Sequence, residues 1–486
     1  MNNFIEYLNE INDKKMILYT LLWEIDTVID DTYSSYNIEV ASKLETEIFL
    51  KSTSSKYITL LDEYINSDEF KELEDFKKKY YLSLKECYEK EKRIPEDFYN
   101  DFCIQKNISK KVWAKAKKEK NYKLFEPYLI KNINMTKELY RYIYPNSNNL
   151  YDDMLNDYER GLKQKDIDPL FEELKKEIIP LVKNLKDKEL EPININLSES
   201  KLYEISKFLL DYIGFDNKRG SLGIYPHGYT TKVSKNDVRI AFSKTNNLFD
   251  LSSTIIHEGG HGIFELYSEK EFNELNRVDV DLIALHESQS RFYENILGRN
   301  INFWIPIYDK FKKISGIDLS IDEFIKYFNN PKASFIRTEA DELTYCLHII
   351  IRYEIEKEIF NGNIDLNKLD EVWNNKYKEY LGLEVKADDL GILQDMHWSD
   401  ASFGYFPSYL LGSIFDGMLL EEINKEVGNV DELLKQGKIK EITKYLNENI
   451  HKYANAYNIF ETCKRVCKKD MNVMPLVNYF KKKYEE

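Results

Sequence analysis

The stretch Thr254-Ile255-Ile256-His257-Glu258-Gly259-Gly260-His261-Gly262-Ile263-Phe264-Glu265 decides how the rest of the chain is read. His257 and His261 are four positions apart, which on an α-helix puts both imidazoles on one face. Two imidazoles so placed can reach a single metal ion. Glu258 is rotated about 100° from His257, so its carboxylate stands beside such an ion instead of on it. That is where a base acting on metal-bound water belongs. The chain has only seven His in 486 residues, so a chance His-Glu-x-x-His is expected about 0.01 times.

Gly259, Gly260 and Gly262 sit in the same few positions. Each costs about 1 kcal/mol relative to Ala in a helix interior. Two satisfied histidines in a packed helix would not explain them. Missing side chains let a substrate backbone or a neighbouring helix come close to the metal. The stretch therefore reads as a zinc peptidase helix.

Working outward, a third ligand should come from another helix. Asp279 to Asn295 has helical apolar spacing at Val280, Ile283, Ala284 and Phe292, and carries His286-Glu287-Ser288-Gln289-Ser290-Arg291. Two His and a carboxylate, Glu287, with a fourth position open to water, form a catalytic zinc set. His286 points about 100° away from Glu287 and reads as a substrate or supporting group. On the other side, Gly220, Gly223, Pro226 and Gly228 punctuate β-prone runs at Leu222–Tyr225, Tyr229–Val233 and Val238–Phe242, with a turn at Asn236-Asp237. An edge strand here could bind an extended peptide through its main chain; a structural hairpin fits the same residues. Asp250 or Ser252 can cap the metal helix.

Two stretches further along carry polar groups in unusual density. Ile336-Arg337-Thr338-Glu339-Ala340-Asp341-Glu342 opens a helix expected to run through His348 and Arg352. Gly391-Ile-Leu-Gln394-Asp395-Met-His397-Trp398 leads to Phe403-Gly404-Tyr405-Phe406-Pro407-Ser408-Tyr409. Six of the seven His lie between 227 and 397, a concentration that scattered core histidines would not produce. A His and a Tyr in such a loop are suited to holding a tetrahedral intermediate.

Composition sets the outer limits. Apolar content of 43% is ample for a large core. Amphipathic helices are expected from Phe4, Leu8 and Ile11 onward, again after Pro95, and from Tyr151 to Asp187. The chain divides into a helical scaffold half (1–213), a catalytic core (214–412) and C-terminal helices (413–486) of one mainly α domain. A net charge of −15 argues against nucleic acid as a partner. The Lys-rich run from Lys106 to Lys123 reads as a solvated helix face with Val112, Trp113 and Leu124 turned inward. Five scattered Cys, an odd number, fit reduced thiols. The first residues lack a signal-peptide pattern, and no apolar run approaches a membrane span. A soluble cytoplasmic protein without membrane contact is expected.

With these residues in view, the chain resembles the Taq-carboxypeptidase family, also called thermostable carboxypeptidase 1, of His-Glu-x-x-His metallocarboxypeptidases. The motifs that carry the resemblance are His257-Glu258-x-x-His261, His286-Glu287-Ser288-Gln289, Ile336-Arg337-x-x-Ala340-Asp341 and Gly391-x-x-Gln394-Asp395-x-His397-Trp398. Two motifs depart. The family's His-Pro-Phe is His227-Gly228-Tyr229 here, and its Asp-x-Arg-x-Thr is Asp237-Val238-Arg239-Ile240-Ala241. The resemblance implies a mostly α-helical fold with a deep central cleft, a homodimer, one zinc or cobalt ion, and removal of single residues from peptide C-termini with broad specificity.

On this reading His257, His261 and Glu287 hold the metal, and Glu258 is the general base and then the general acid. Tyr409, with Tyr405 second, donates to the oxyanion, and His397 assists. Arg337, with Arg239 and Arg352 behind it, binds the terminal carboxylate, and His227 and His286 face the substrate. The competing readings are a helical oligoendopeptidase and a non-catalytic, metal-stabilised peptide-binding protein.

Overall fold

Apolar residues at helical spacing become helices throughout the N-terminal half. Phe4, Leu8 and Ile11 are buried along one face of helix Asn3–Thr27. Side-chain caps start several helices: Ser54 accepts from Tyr57 N, Ser67 from Phe70 N, and Asn149 from Tyr151 N and Asp152 N. Gly214, in the left-handed region at φ 98°, closes helix Glu199–Ile213. The computed structural model describes residues 3–29, 33–185, 190, 193, 195–268 and 282–485. Among them no helix is long and apolar enough to cross a membrane.

The first helices share an apolar cluster that includes Phe4, Tyr57, Leu61, Tyr64 and Tyr81. A second, larger cluster runs from Ala116 to Phe480 and joins residues from both sides of positions 213 and 412. Strands β1 (Leu222–Ile224), β2 (Tyr229–Ser234) and β3 (Asp237–Phe242) form where the turn residues mark them, in the order β1-β3-β2. β1 is parallel to β3, and β2 is antiparallel with Thr230 opposite Ile240 and Tyr229 opposite Ala241.

This sheet is held between two helices, and side-chain alternation decides what each sees. Ile240 points at Gly262 of helix Leu248–Ser268. On the other face Tyr229 meets Trp23 edge-on at 5.8 Å and donates to Asp26 at 3.0 Å. The two motif departures are therefore cross-strand neighbours. A hydroxyl is gained at Tyr229, and one is lost at the fully buried Ala241.

The Lys-rich run is not simply a solvated face. On helix Glu96–Glu119, Lys110 pairs with Asp400 at 3.0 Å, Lys117 donates to Gln394 O at 2.8 Å, and Trp113 Nε1 donates to Leu393 O at 3.0 Å. The helix thus clasps the segment that carries Asp395 and His397.

Candidate active site

Helix Leu248–Ser268 begins on Asn247, whose side chain accepts from Phe249 N at 3.0 Å and Asp250 N at 3.2 Å. The cap is Asn247, not Asp250 or Ser252: both already lie within the helix, and Ser252 Oγ bonds back to Leu248 O. Helix Ile283–Arg291 packs against it and continues into the π-helical turn Phe292–Gly298. The expected start of this second helix at Asp279 and Val280 lies outside the described residues.

The three glycines explain the close packing. An ideal Cβ on Gly260 would stand 2.8 Å from Ser290 Cα and 2.9 Å from Gln289 O, so the two helices meet backbone to backbone. Gly259 faces Ile213 and Leu210, and Gly262 faces the Phe215 ring. A neighbouring helix, not an open substrate channel, accounts for Gly260.

This approach brings the sequence-predicted ligands together. His257 Nε2 is 3.9 Å from Glu287 Oε2, and His261 Nε2 is 3.9 Å from Glu287 Oε1. One ligand atom from each residue falls within 4.8 Å of the others, separations that one ion with bonds of about 2 Å can span. Glu287 Oε2 is buried without a hydrogen-bond partner among the described residues. A converging N, N, O set whose carboxylate oxygen receives no hydrogen bond, with only the Arg291 ion pair at 3.4 Å beside the histidines among the described residues, fits a divalent cation.

Behind the two imidazoles, His257 is held by a hydrogen bond, whereas His261 is held by ring stacking. His257 Nδ1 lies 2.8 Å from Glu294 Oε2, and Ser253 donates to the other oxygen of that carboxylate. Burial opposes charge on His257, yet the Glu294 contact lifts it to about 9; burial likewise opposes charge on Glu294, which the same contact pulls down to about 2. With Nδ1–H directed at Glu294, Nε2 is the nitrogen left for the metal. His261 stacks on His286 at 4.3 Å, and His286 Nε2 contacts Glu265 Oε1 at 3.0 Å. Lys232 Nζ is 3.0 Å from Glu265 Oε2, both side chains being almost wholly buried.

Glu258 is itself buried, which raises its pKa from the ordinary carboxylate value. Thr230 Oγ1 donates to its Oε2 at 2.7 Å. Facing this region, helix Pro407–Glu426 runs against helix Ile283–Arg291, with Gly412 directly on Ala284 O and Ser288 N. Its first turn carries Tyr409, whose hydroxyl donates to Tyr405 at 3.1 Å. Burial pushes Tyr405 up to about 12 and Tyr409 well above its ordinary value, so both phenols keep a proton to donate at neutral pH. His397 lies 5.3 Å from the Tyr405 ring and 4.7 Å from Phe406, and burial lowers it to about 4.

The candidate arginines separate. Arg337 is gripped by Asp395 through Nε and Nη2 at 3.0–3.2 Å and by Tyr345 at 3.0 Å, with its guanidinium 5.5 Å from the Tyr409 ring. Arg352 departs from expectation. It is completely buried, and its three nitrogens donate to Asp395, His348 O and Gln394 Oε1. It supports Arg337 and has no surface to offer a ligand. Arg239 departs as well. Opposite Thr231, it lies on the sheet face turned from Glu258 and chelates Asp237 at 2.9–3.3 Å. Its guanidinium covers Trp23. His286 is turned to Glu265 behind His261 instead of outward, whereas His227 is exposed, with Nδ1 3.1 Å from Gly228 O. The expected helix start at Ile336 is also later. Arg337–Glu339 is a 3-10 turn, and Asp341 caps helix Glu342–Asn361.

Four residues escaped the sequence reading. Glu294 is seven positions, two turns, after Glu287 and shares its helix face; that spacing was the available signal. Glu265 follows His261 by four in the same way. Arg291 sits with Nε 3.4 Å from Glu287 Oε2 and its guanidinium 4.0 Å from the Tyr345 ring. Thr230 carried no signal beyond the alternation of β2.

The sequence model of the family described as carboxypeptidase Taq (M32) metallopeptidase matches residues 3–484. Carboxypeptidase 1 of Bacillus subtilis (strain 168) is 36% identical over 492 aligned residues, covering 99% of this chain and 97% of that protein. Thermostable carboxypeptidase 1 of Pyrococcus furiosus is 31% identical over 402 residues, 80% of each chain. The solved structure of Trypanosoma cruzi metallocarboxypeptidase 1 superposes with a TM-score of 0.93 at 25% identity, covering 99% of both chains. A match of the family model over almost the whole chain, on a fold shared with these enzymes, makes this protein a metallocarboxypeptidase of the carboxypeptidase Taq (M32) family.

Proposed function

We propose that the protein is a zinc-dependent carboxypeptidase that removes single residues from the C-termini of peptides with broad side-chain preference. The observation that carries this reading is the convergence of His257, His261 and Glu287 beside a buried, hydrogen-bonded Glu258. A divalent ion held by those three residues supplies Lewis acidity, lowering the pKa of a water towards about 7 and polarising the scissile carbonyl.

Glu258, its pKa raised by burial, takes the proton from the attacking water and passes it to the leaving amine. Tyr409, still protonated, turns its single O–H from Tyr405 to the developing oxyanion, and Tyr405 then donates to Tyr409. Loss of one such donor costs about 2.7–4 kcal/mol of transition-state stabilisation. Arg337, fixed in orientation by Asp395 and adjacent to Tyr409, binds the terminal carboxylate through the Nη1–H and Nη2–H that Tyr345 and Asp395 leave unused. His397, neutral at pH 7, contacts the substrate near Tyr405, and the exposed His227 does so from the loop before β2. Zinc suits the two-His, one-carboxylate donor set, and cobalt is accepted by the same set. We further propose a homodimer and a cytoplasmic location.

The test is one peptide prepared with a free and with an amidated C-terminus. Hydrolysis of the free acid alone, lost in Arg337→Met, supports the assignment. Equal cleavage of both forms at an internal bond would replace it with an endopeptidase.

A further inference from the structure

A general base needs more than the right pKa: one of its two oxygens must point at the water while the other is held. The surroundings of Glu258 separate its oxygens in this way. Oε2 accepts the Thr230 hydroxyl at 2.7 Å, and among the described residues no other donor reaches the carboxylate. The same hydroxyl lies 3.0 Å from Glu258 O, but a single proton goes preferentially to the charged acceptor. Oε1 lies on the side of Gly228. An ideal Cβ there would stand 3.1 Å from Oε1, 3.5 Å from Cγ and 2.5 Å from Thr254 Cγ2. Glycine at 228 keeps a Cβ from crowding Oε1.

The support behind Thr230 is stiff. Thr230 is paired with Ile240 in register within β2 and β3, and a β-branched side chain has few χ1 choices in a strand. Two residues further along β2 on the same face, Lys232 reaches Glu265, seven positions beyond Glu258 on the same helix. Strand β2 therefore touches the metal helix at two points, one behind the base and one behind the His261–His286 stack.

We propose that Thr230 is a positioning residue for the general base, fixing Glu258 Oε2 so that Oε1 receives the proton. This rests on the carboxypeptidase reading above, because it assigns Glu258 its oxygen-by-oxygen part in that reaction. Thr230→Val keeps the shape and removes the hydroxyl; Thr230→Ser keeps the hydroxyl.

The experiment compares wild type, Thr230→Val and Thr230→Ser, all zinc-loaded, on one free-acid peptide, with metal content checked for each. Thr230→Val is expected to lower kcat roughly tenfold, the loss of one hydrogen bond to a charged group, while KM and metal content stay unchanged. Thr230→Ser is expected to return kcat to within about twofold. Wild-type kcat in Thr230→Val would overturn the proposal. So would equal impairment of Val and Ser, which would make the methyl group the useful part. A crystal structure of the metal-loaded wild type gives a readout independent of turnover and of the folding of variants. The Thr230–Glu258 Oε2 contact within hydrogen-bond distance supports the proposal, and Oε2 turned away from Thr230 overturns it. A wild type that binds zinc and leaves every peptide intact would instead defeat the carboxypeptidase reading, whatever the variants do.

Discussion

His257 Nδ1 and Glu294 Oε2 stand 2.8 Å apart although 37 residues separate them. Glu294 lies in a π-helical turn, Phe292–Gly298, that continues the helix of Glu287, and stands behind the first His of the motif. Such turns recur at functional sites.

Glu294→Gln should therefore weaken metal binding by about 10–100-fold, the usual effect of removing a partner behind a ligand. Competition with a chromophoric chelator measures this. Unchanged affinity would mean that His257 is oriented by packing alone.

Among the described residues Asp395 is the one carboxylate shared by Arg337 and Arg352, whose side chains are 8% and 0% exposed. Removing it leaves two buried cations facing each other. Asp395→Asn should destabilise the fold by about 3–5 kcal/mol, read as a shift of the urea midpoint at constant m. A shift below about 1 kcal/mol would place the pair in solvent instead.

The glycines of the metal helix should not be equivalent. Alanine at 259 meets the flexible ends of Ile213 and Leu210, whereas alanine at 260 meets Ser290 Cα and Gln289 O, which cannot turn aside. Gly260→Ala should cost about 1–3 kcal/mol from overpacking and reduce zinc affinity by separating His261 from Glu287. Gly259→Ala should be close to neutral, helped by about 1 kcal/mol of helix propensity. Thermal unfolding and zinc titration of both variants check the order.

His451 is wholly buried between Asn447 and Gln289, with 2.7 Å contacts to both, and burial lowers it to about 3. Between that value and the ordinary 6.5 the unfolded chain binds a proton that the folded chain does not. Its contribution to stability therefore rises with pH across this window, by at most about 1.4 kcal/mol per pH unit. His451→Gln should flatten the slope of unfolding free energy against pH from about pH 4 to 6.5. Parallel slopes for the two proteins would contradict the assignment.

The convergence of His257, His261 and Glu287 beside Glu258 was legible because helical periodicity fixes which residues share a face, and the small sheet was legible because Gly, Pro and Asn-Asp mark its turns. What stood behind them was not. Lys232 and Thr230 meet their partners through a strand register and a side-chain alternation, which neither composition nor spacing specifies, and Glu294 left only its seven-residue spacing from Glu287 as a trace. The arginines failed for a related reason. Arg239, Arg337 and Arg352 all looked available, but Asp237 chelates Arg239 and packing buries Arg352 completely behind Asp395, and only packing tells these from Arg337. The Lys-rich helix likewise looked solvated because its partners, such as Leu393 O for Trp113, lie 280 residues away.

The central claim is that Glu258, beside the His257–His261–Glu287 set, drives removal of C-terminal residues one at a time. Mass spectrometry of a free-acid peptide incubated with zinc-loaded protein, alongside Glu258→Gln of equal zinc content, tests it most directly. Stepwise loss of C-terminal residues by the wild type alone is the predicted result. Internal fragments, or equal trimming by Glu258→Gln, would contradict it.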